Sequence, residues 1–417
     1  MRKIILRDHY KVFPFNEPAR ELRVLNKPLW LHQRDLFAPY DVDEREVDSL
    51  LEIDSQKVET LVYRDNLFFD KYFLDAFVSQ ARKLGKACRV AFARNDPSIK
   101  THAIQLQRGI RPEGDVYVAD MWYYPQGFEP NAGPLVIDTG SHEMGYYHVP
   151  THMSNAMGDL VYQVPTKAFC SIEHWVHTII ANVIFGVFAD GARLDREIER
   201  SVGKNLKILW RALLERKQVL ASSEVVHIGR DCSIDPSAVI RGPSWIGDNV
   251  SIGPGAVVDV SIIGNNVDIG TGGQVQLSMI SDRCFLPFRA ALFMSVMMAD
   301  SMVAQNTCLQ FCSVGRGTFI GAGNTFTDFS LVPGKPIRAM YEGEPRPTGM
   351  PVVGGCVGHH CYIGSGMVVH PARAIESDVI LFASPERRVI SRTVYYEDSD
   401  HLKLKDGADA HTRMYEP

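Results

Sequence analysis

From Ile228 onward the hydrophobic positions keep a step of six. Aliphatic residues stand at Ile228, Ile234, Ile240, Ile246, Ile252 and Val258; after one five-residue step the rhythm resumes at Ile263 and Ile269. Glycine follows at Gly229, Gly247, Gly253, Gly264 and Gly270, and the fourth residue after the aliphatic is mostly small (Cys232, Ala238, Ser244, Ala256, Gly273). A period of six is neither helical nor that of a simple strand. It predicts a triangular coil in which each hexad supplies one short strand and one corner. The aliphatic side chain fills the interior, the small residue sits where the chain turns, and glycine tolerates the corner backbone. The phase returns at Cys308, Val314, Ile320, Val357 and Ile363, which places Cys284, Cys312 and Cys361 at the small inward position.

Two stretches interrupt the rhythm. Phe285–Gln305 is apolar and Met-rich, and is expected to pack as an irregular coil or a subunit contact. Leu331–Pro351 is basic and rich in Pro and Gly, and reads as an extruded loop that either reaches a neighbouring subunit's site or is a solvated excursion.

Upstream the pattern changes. Residues 1–165 read as α/β, with strands at Lys3–Leu6, Thr60–Tyr63, Cys88–Phe92, Val116–Trp122 and Leu135–Ile137, and helices near Leu29–Phe37 and Lys71–Leu84. Residues 166–222 read as a helical connector. Ser171 is its expected N-cap with Glu173 in the first turn, and Ile172, Trp175, Val176, Ile179, Ile180, Val183 and Ile184 form an apolar face. A second helix, about Leu206–Val219, carries Leu206, Leu209, Trp210, Leu213 and Leu214 towards a core. The β-helix then covers 223–390, and 391–417 reads as a strand plus a flexible end.

Composition narrows the function. Of 417 residues, 45% are hydrophobic and 22% charged, ordinary globular usage that excludes a disordered chain. A net charge of −5 leaves no footprint for nucleic acid or an anionic membrane. The N-terminal apolar stretch is too short for a secretory leader, and the run Thr178–Ala189 is too short to span a membrane. Eight scattered cysteines fit a reducing compartment, so a cytoplasmic protein is expected. Two local clusters admit a metal reading. Cys356-Val357-Gly358-His359-His360-Cys361 competes with inward core cysteines, and His142, Glu143, His148 and His152 compete with loop histidines near a ligand pocket. His174 and His177 read as interface or capping residues.

The hexad pattern is that of the left-handed parallel β-helix. In the first half, Leu61-Val62-Tyr63-Arg64-Asp65-Asn66-Leu67-Phe68-Phe69-Asp70 resembles the "LGDNIFYG" strand end of sugar-phosphate nucleotidyltransferases. Asp96-Pro97 resembles that family's "DP", Val118–Tyr124 its "VTGLYFYD", and Leu135–Gly140 its "WLDTGT". Ile4-Ile5-Leu6, Val12-Phe13-Pro14 and Asn26-Lys27-Pro28 are similar to parts of its opening motif, although Arg7–Lys11 occupies the place of the glycine loop. Phe15–Val24 is similar to the "FTRPVADIRVG" opening of a divergent group, also without that loop and with a hexapeptide tail, with Glu17 where that group has arginine.

The whole arrangement resembles the bifunctional N-acetylglucosamine-1-phosphate uridyltransferase/acetyltransferase family, whose "IGAGT" and "IGDDVFVG" are matched by Ile320–Thr325 and Val357–Gly364. The resemblance implies a Rossmann-like, nucleotidyltransferase-like α/β domain joined by a helical connector to the β-helix, and a homotrimer built through that helix. It further implies Mg²⁺ on Asp65 and Asp138, a catalytic set of Asp65, Lys11, Arg20 and Lys27, and Asn66, Asp138, Thr139 and Gly140 binding an NTP and a sugar phosphate. The acetyltransferase base position is Gln305, which cannot act as a base near neutral pH, so acyl transfer would fall to His359, His360 or His370. Three functions are thus expected: nucleotidyl transfer to a sugar 1-phosphate, acyl transfer at the β-helix, or a non-catalytic relative that binds sugar nucleotides or assembles a complex.

Overall fold

The structure, a computed structural model, describes all residues except 41–42, 55, 148–159 and 333, and does not describe the side chains of 146–147, 160, 195, 197–200, 204 and 408–409. The chain forms two compact units. The first comprises Met1–Val12 and Glu17–His177; the second comprises Phe13–Asn16 and Thr178–Pro417.

The first unit is built on a mixed sheet with strands β1 (Arg2–Leu6), β2 (Asp43–Val47), β3 (Thr60–Arg64), β4 (Cys88–Ala93), β5 (Ile110–Glu113), β6 (Val116–Tyr124) and β7 (Gly133–Val136). Their spatial order is β7-β4-β6-β3-β1-β2, with β5 paired to β6. β1 lies parallel to both β2 and β3, while β6 runs antiparallel to β3 and β4. This order is compatible with a Rossmann-like domain. Helices α1 (Leu29–Phe37) and α2 (Lys71–Leu84) fall where their periodicity predicts; Asp70 caps α2 by accepting from Phe73 N–H, and Gly85 ends it at φ 64°. β2, Asp-Glu-Arg-Glu-Val, has four exposed charged positions and carries no apolar signal, which is why the hydrophobic pattern misses it.

The connector expected over 166–222 differs from expectation. Ser171 does not cap a helix: it lies in a strand, Phe169–Ser171, paired with Leu67–Phe69. The helical run begins at Trp175, and the Nδ1 of His177 accepts from the backbone N–H groups of Glu173 and His174. Among the described residues one helix, Trp175–Leu194, is long and apolar enough to cross a membrane, with a mean hydropathy of 1.4, yet 94% of that window is buried within the fold. The following helix, Val202–Glu215, turns Leu206, Leu209, Trp210, Leu213 and Leu214 outward rather than into a core.

Among the described residues, three parallel sheets of eight strands stack in coil order, the arrangement of a left-handed β-helix. Inward residues from Ile246 to Ile390 form one continuous core. The Met-rich stretch does not leave this architecture: Phe285–Leu286, Ala291–Phe293, Val296–Met297 and Met302–Val303 are all coil strands. Its coils have seventeen residues instead of eighteen, with Trp245 over Ile262, Met279, Val296 and Ser313 in turn. A five-residue corner therefore recurs in every coil here. It is closed by Val260, Leu277, Met294 and Phe311, all at positive φ (44–52°). That conformation is costly for side-chained residues, above all for the β-branched Val260.

A hydroxyl ladder supports the tight corner. Ser261 N–H donates to Ser244 Oγ at 3.1 Å, Ser278 N–H to Ser261 Oγ at 3.1 Å, Ser295 N–H to Ser278 Oγ at 3.0 Å, and Cys312 N–H to Ser295 Oγ at 3.1 Å. Each bond satisfies a buried backbone donor that would otherwise cost about 1–3 kcal/mol. Gly315 has no room for a side chain, since a Cβ would stand 2.4 Å from the Gly358 carbonyl.

The basic segment after Phe326 leaves the coil as expected: Arg338–Tyr341 pairs with Glu344–Pro347 as a hairpin, and the ladder resumes from Ser313 to Cys356. The tail departs from the expected flexible end. It folds back on the last coils, where Asp378 Oδ2 accepts from Met414 and Tyr415 N–H, each at 2.7 Å, and Arg413 pairs with buried Glu376 at 2.5 Å.

Burial in the first unit holds His32, His102 and His177 below the ordinary imidazole pKa, His102 to about 3. An unfolded chain takes up these protons below about pH 6.5 while the folded unit does not. The stabilisation is therefore complete above that pH and declines as pH falls towards 3. Thermal melting followed from pH 7.5 to 5.5, before carboxylates titrate, is expected to show a falling midpoint, with a shallower slope in His102→Gln.

Candidate functional site

Chain topology brings two loops together at the carboxyl ends of β1 and β3. β1 has its sequence successors on opposite sides, β2 on one and β3 on the other, so a crevice opens between the loops leaving β1 and β3. The loop after β1 is Arg7-Asp8-His9-Tyr10, and the loop after β3 starts at Asp65.

Asp65 is nearly fully buried beneath this crevice. Its Oδ1 accepts from Asp8 N–H at 2.8 Å, and its Oδ2 lies 3.2 Å from both Arg7 Nε and Arg20 Nη1. Burial pushes the Asp65 carboxyl above the ordinary carboxylate range, with the Asp8 amide and the two guanidiniums opposing that shift. Arg20 is in turn shared with Glu46 and Glu21. The catalytic set expected around Asp65 is thus present only in part: Arg20 touches it, whereas Lys27 pairs with Asp35 at 2.6 Å and Lys11 sits exposed on a two-residue strand.

Asp138, expected to share a cation with Asp65, is exposed and accepts from the N–H of Gly140 at 2.8 Å. Thr139 points instead to Asp96, with Oγ1 2.8 Å from both carboxylate oxygens. A magnesium ion on Asp65 does not fit these residues, because both carboxylate oxygens already face an N–H or guanidinium donor.

A cavity of about 290 Å³ lies beside this buried net, lined by Asp8, Arg64, Asn66, Arg108, Arg111 and Asp120 together with Gly109 and Glu173. Asp120 holds Arg64, Arg89 and Arg111 at 3.0, 2.5 and 2.8 Å. Burial raises the Glu173 carboxyl, but donors on Ser171, Arg108 and Gly109 outweigh it and leave the group below its ordinary value. Asn66, expected to bind substrate, does line the cavity: Nδ2 donates to Asp8 and Ser171, and its buried Oδ1 has no hydrogen-bond partner. Arg108, Arg111, Asp120 and Glu173 were not singled out as site residues by the sequence, because no motif joins them; only the fold does.

The three candidate acyl-transfer bases occupy different settings. His359 is fully buried, ring-stacked on Phe15 at 4.9 Å and against Tyr415 at 4.8 Å, and its Nδ1 accepts from Arg316 N–H at 2.8 Å. No substrate reaches it, so it cannot be the base. His360 is half-buried against the tail, with Nδ1 2.9 Å from Asp378 Oδ1. His370 opens onto a cavity of about 710 Å³ between the coil and the extruded loop. Phe326, Leu331, Val332, Ile337 and Val368 supply its apolar wall, and Lys335, Arg338, Arg373 and Asp328 its charges. The Nε of Arg373 is buried without a hydrogen-bond partner, and burial holds this guanidinium below its ordinary pKa.

The cysteines of the first metal reading do not gather around an ion site. Cys356 and Cys361 are buried in the coil with their thiols pushed up by burial, as are Cys284 and Cys312, so they serve as core fillers. His142 and Glu143 are adjacent on a strand and so face opposite sides, while His148 and His152 lie outside the described residues.

Removing the Asp65 carboxylate by Asp65→Ala leaves Arg7 and the largely buried Arg20 without it. Unfolding of the first unit by urea is expected to become easier by roughly 3 kcal/mol, equally with and without added Mg²⁺; a cost that appears only with Mg²⁺ present would assign Asp65 to a cation instead.

No curated protein matches the chain. A solved structure from Bacillus cereus, described as a "putative acetyltransferase", is similar at 18% identity over 43% of this chain and 90% of that one, with a TM-score of 0.16. Within the first coils, residues 226–260 match the family described as bacterial transferase hexapeptide (six repeats).

Proposed function

We propose that the second unit is an acyltransferase, moving an acyl group from a phosphorylated thioester carrier to a hydroxyl or amine acceptor in the cavity beneath the extruded loop. The observation that carries this reading is His370, an imidazole exposed in a cavity of about 710 Å³ on the β-helix. The apolar wall suits an acyl chain and its carrier arm, and Lys335, Arg338 and Arg373 suit the carrier's phosphates.

His370 takes the proton of the acceptor O–H or N–H as the nucleophile bonds to the thioester carbonyl carbon. The tetrahedral intermediate then breaks its C–S bond, and the departing thiolate takes the proton back from the imidazolium. Association with further copies, as a homotrimer, belongs to the same proposal: Trp245, Phe285, Phe288 and Tyr362 stand exposed along the coils.

Thiol release from acyl-coenzyme A with a panel of sugar and amine acceptors tests it. His370→Ala is expected to lower kcat by about 100-fold or more with little change in donor KM, whereas Arg373→Ala raises donor KM. Unchanged turnover in His370→Ala would sink the assignment.

A second reading, nucleotidyl transfer or sugar-nucleotide binding in the first unit, is favoured by the unpartnered Asn66 Oδ1 in the smaller cavity, which Arg64, Arg108 and Arg111 line together with Asp8, Asp120 and Glu173. Pyrophosphate release across NTP and sugar 1-phosphate pairs separates its two forms. The committed state of Asp65 leads us to expect no release and, at most, binding without turnover.

A further inference from the structure

Where the tail folds back on the last coils, three histidines and one aspartate gather. His360 comes from a coil corner, Asp378 from the next coil, and His401 and His411 from the tail. One ligand atom each from His360, Asp378 and His411 lies within 4.8 Å of the other two. The rings of His360 and His411 have centroids 4.5 Å apart, and those of His401 and His411 are 5.2 Å apart.

Two features of this cluster are unlike ordinary packing. The Nε2 atoms of His401 and His411 are both buried and have no hydrogen-bond partner, although the two residues are only 1% and 7% exposed. Buried imidazole nitrogens are normally satisfied, and leaving two bare in adjacent rings is costly. In addition, the supporting contacts are those a ligand set needs. His401 Nδ1 is fixed by Ser399 Oγ at 2.6 Å, and Asp378 Oδ2 is fixed by two backbone N–H groups. Such outer contacts orient rings and carboxylates towards a shared ion.

We infer that His360, His411 and Asp378 bind a first-row divalent cation of the zinc class, with the buried His401 ring packed against His411, and that the ion fastens the tail to the β-helix. Imidazole and carboxylate donors suit zinc in a tetrahedral site. Ligand atoms at about 2.0–2.1 Å from the ion stand about 3.3 Å apart in that geometry, so small side-chain rotations close the 4.8 Å spread of these three. The site lies apart from the cavity of His370 and uses neither Cys356 nor Cys361.

Full-length protein stripped with chelator and titrated calorimetrically with Zn²⁺ is expected to take up one equivalent. His411→Phe keeps the ring stack but removes the nitrogen, and is expected to weaken binding at least 100-fold; His360→Phe is expected to do the same, and His370→Ala to leave it unchanged. Amide exchange of residues 396–415 is expected to slow on adding Zn²⁺ to the native chain but not to His411→Phe. Absence of stoichiometric uptake by folded native protein, or uptake that survives both phenylalanine variants, would overturn the inference and leave the histidines as a packing cluster.

Discussion

In the second unit, each coil donates its backbone N–H groups to carbonyls of the next, and the aliphatic residue of every strand stacks on its counterpart one coil away. The two patterns must share one register. A strand that slips by one residue would turn its interior side chain to solvent and break the ladder together. Burying one such aliphatic side chain is worth about 1.5–3 kcal/mol, and a stack of coils repeats that gain with contacts mostly between neighbours. This shared register explains why corners accept strained backbone at Val260, Leu277, Met294 and Phe311: shifting a corner to relieve it would misplace the strands on both sides.

The first unit is governed by charge rather than by repetition. Asp65, Asp120 and Glu173 are all buried and each is matched by arginine: Arg7 and Arg20 on the first, Arg64, Arg89 and Arg111 on the second, Arg108 on the third. The desolvation cost of such groups is recovered only while each partner stays in place. The crevice where an α/β fold usually places its chemistry is consequently held by an internal ionic net, and its carboxylates face arginines and amides.

How much of this was legible in the sequence follows from the physics of each part. The coils were legible because one interior position recurs with chemically similar residues; Leu286, Leu292, Met297 and Val303 hid the same rhythm behind five-residue steps and a change to methionine. Helices α1 and α2 announced themselves by periodicity, while β2 had a single apolar residue, Val47, and so no alternation to announce it. Asn66 was found through its neighbour Asp65, but the arginines converging on Asp120 come from three different strands or strand ends and share no local pattern. His370 was one of three equal candidates on sequence; burial and the position of the extruded loop separate it from His359 and His360. The tail histidines went unnoticed because their partners lie in the preceding coils, joined only by folding.

The excursion between Phe326 and Cys356 has a consequence for how such a chain can change. Pairing resumes from Ser313 to Cys356 and from Thr325 to Val368 as though nothing had been inserted. Length and sequence in the excursion are therefore decoupled from the coil register on either side. That segment supplies Leu331, Val332, Lys335, Ile337 and Arg338 to the wall of the His370 cavity, while the coil supplies His370 and Arg373. One wall is set by the excursion and the other by the stack, so the shape of the cavity can change with the loop while the core register stays as it is.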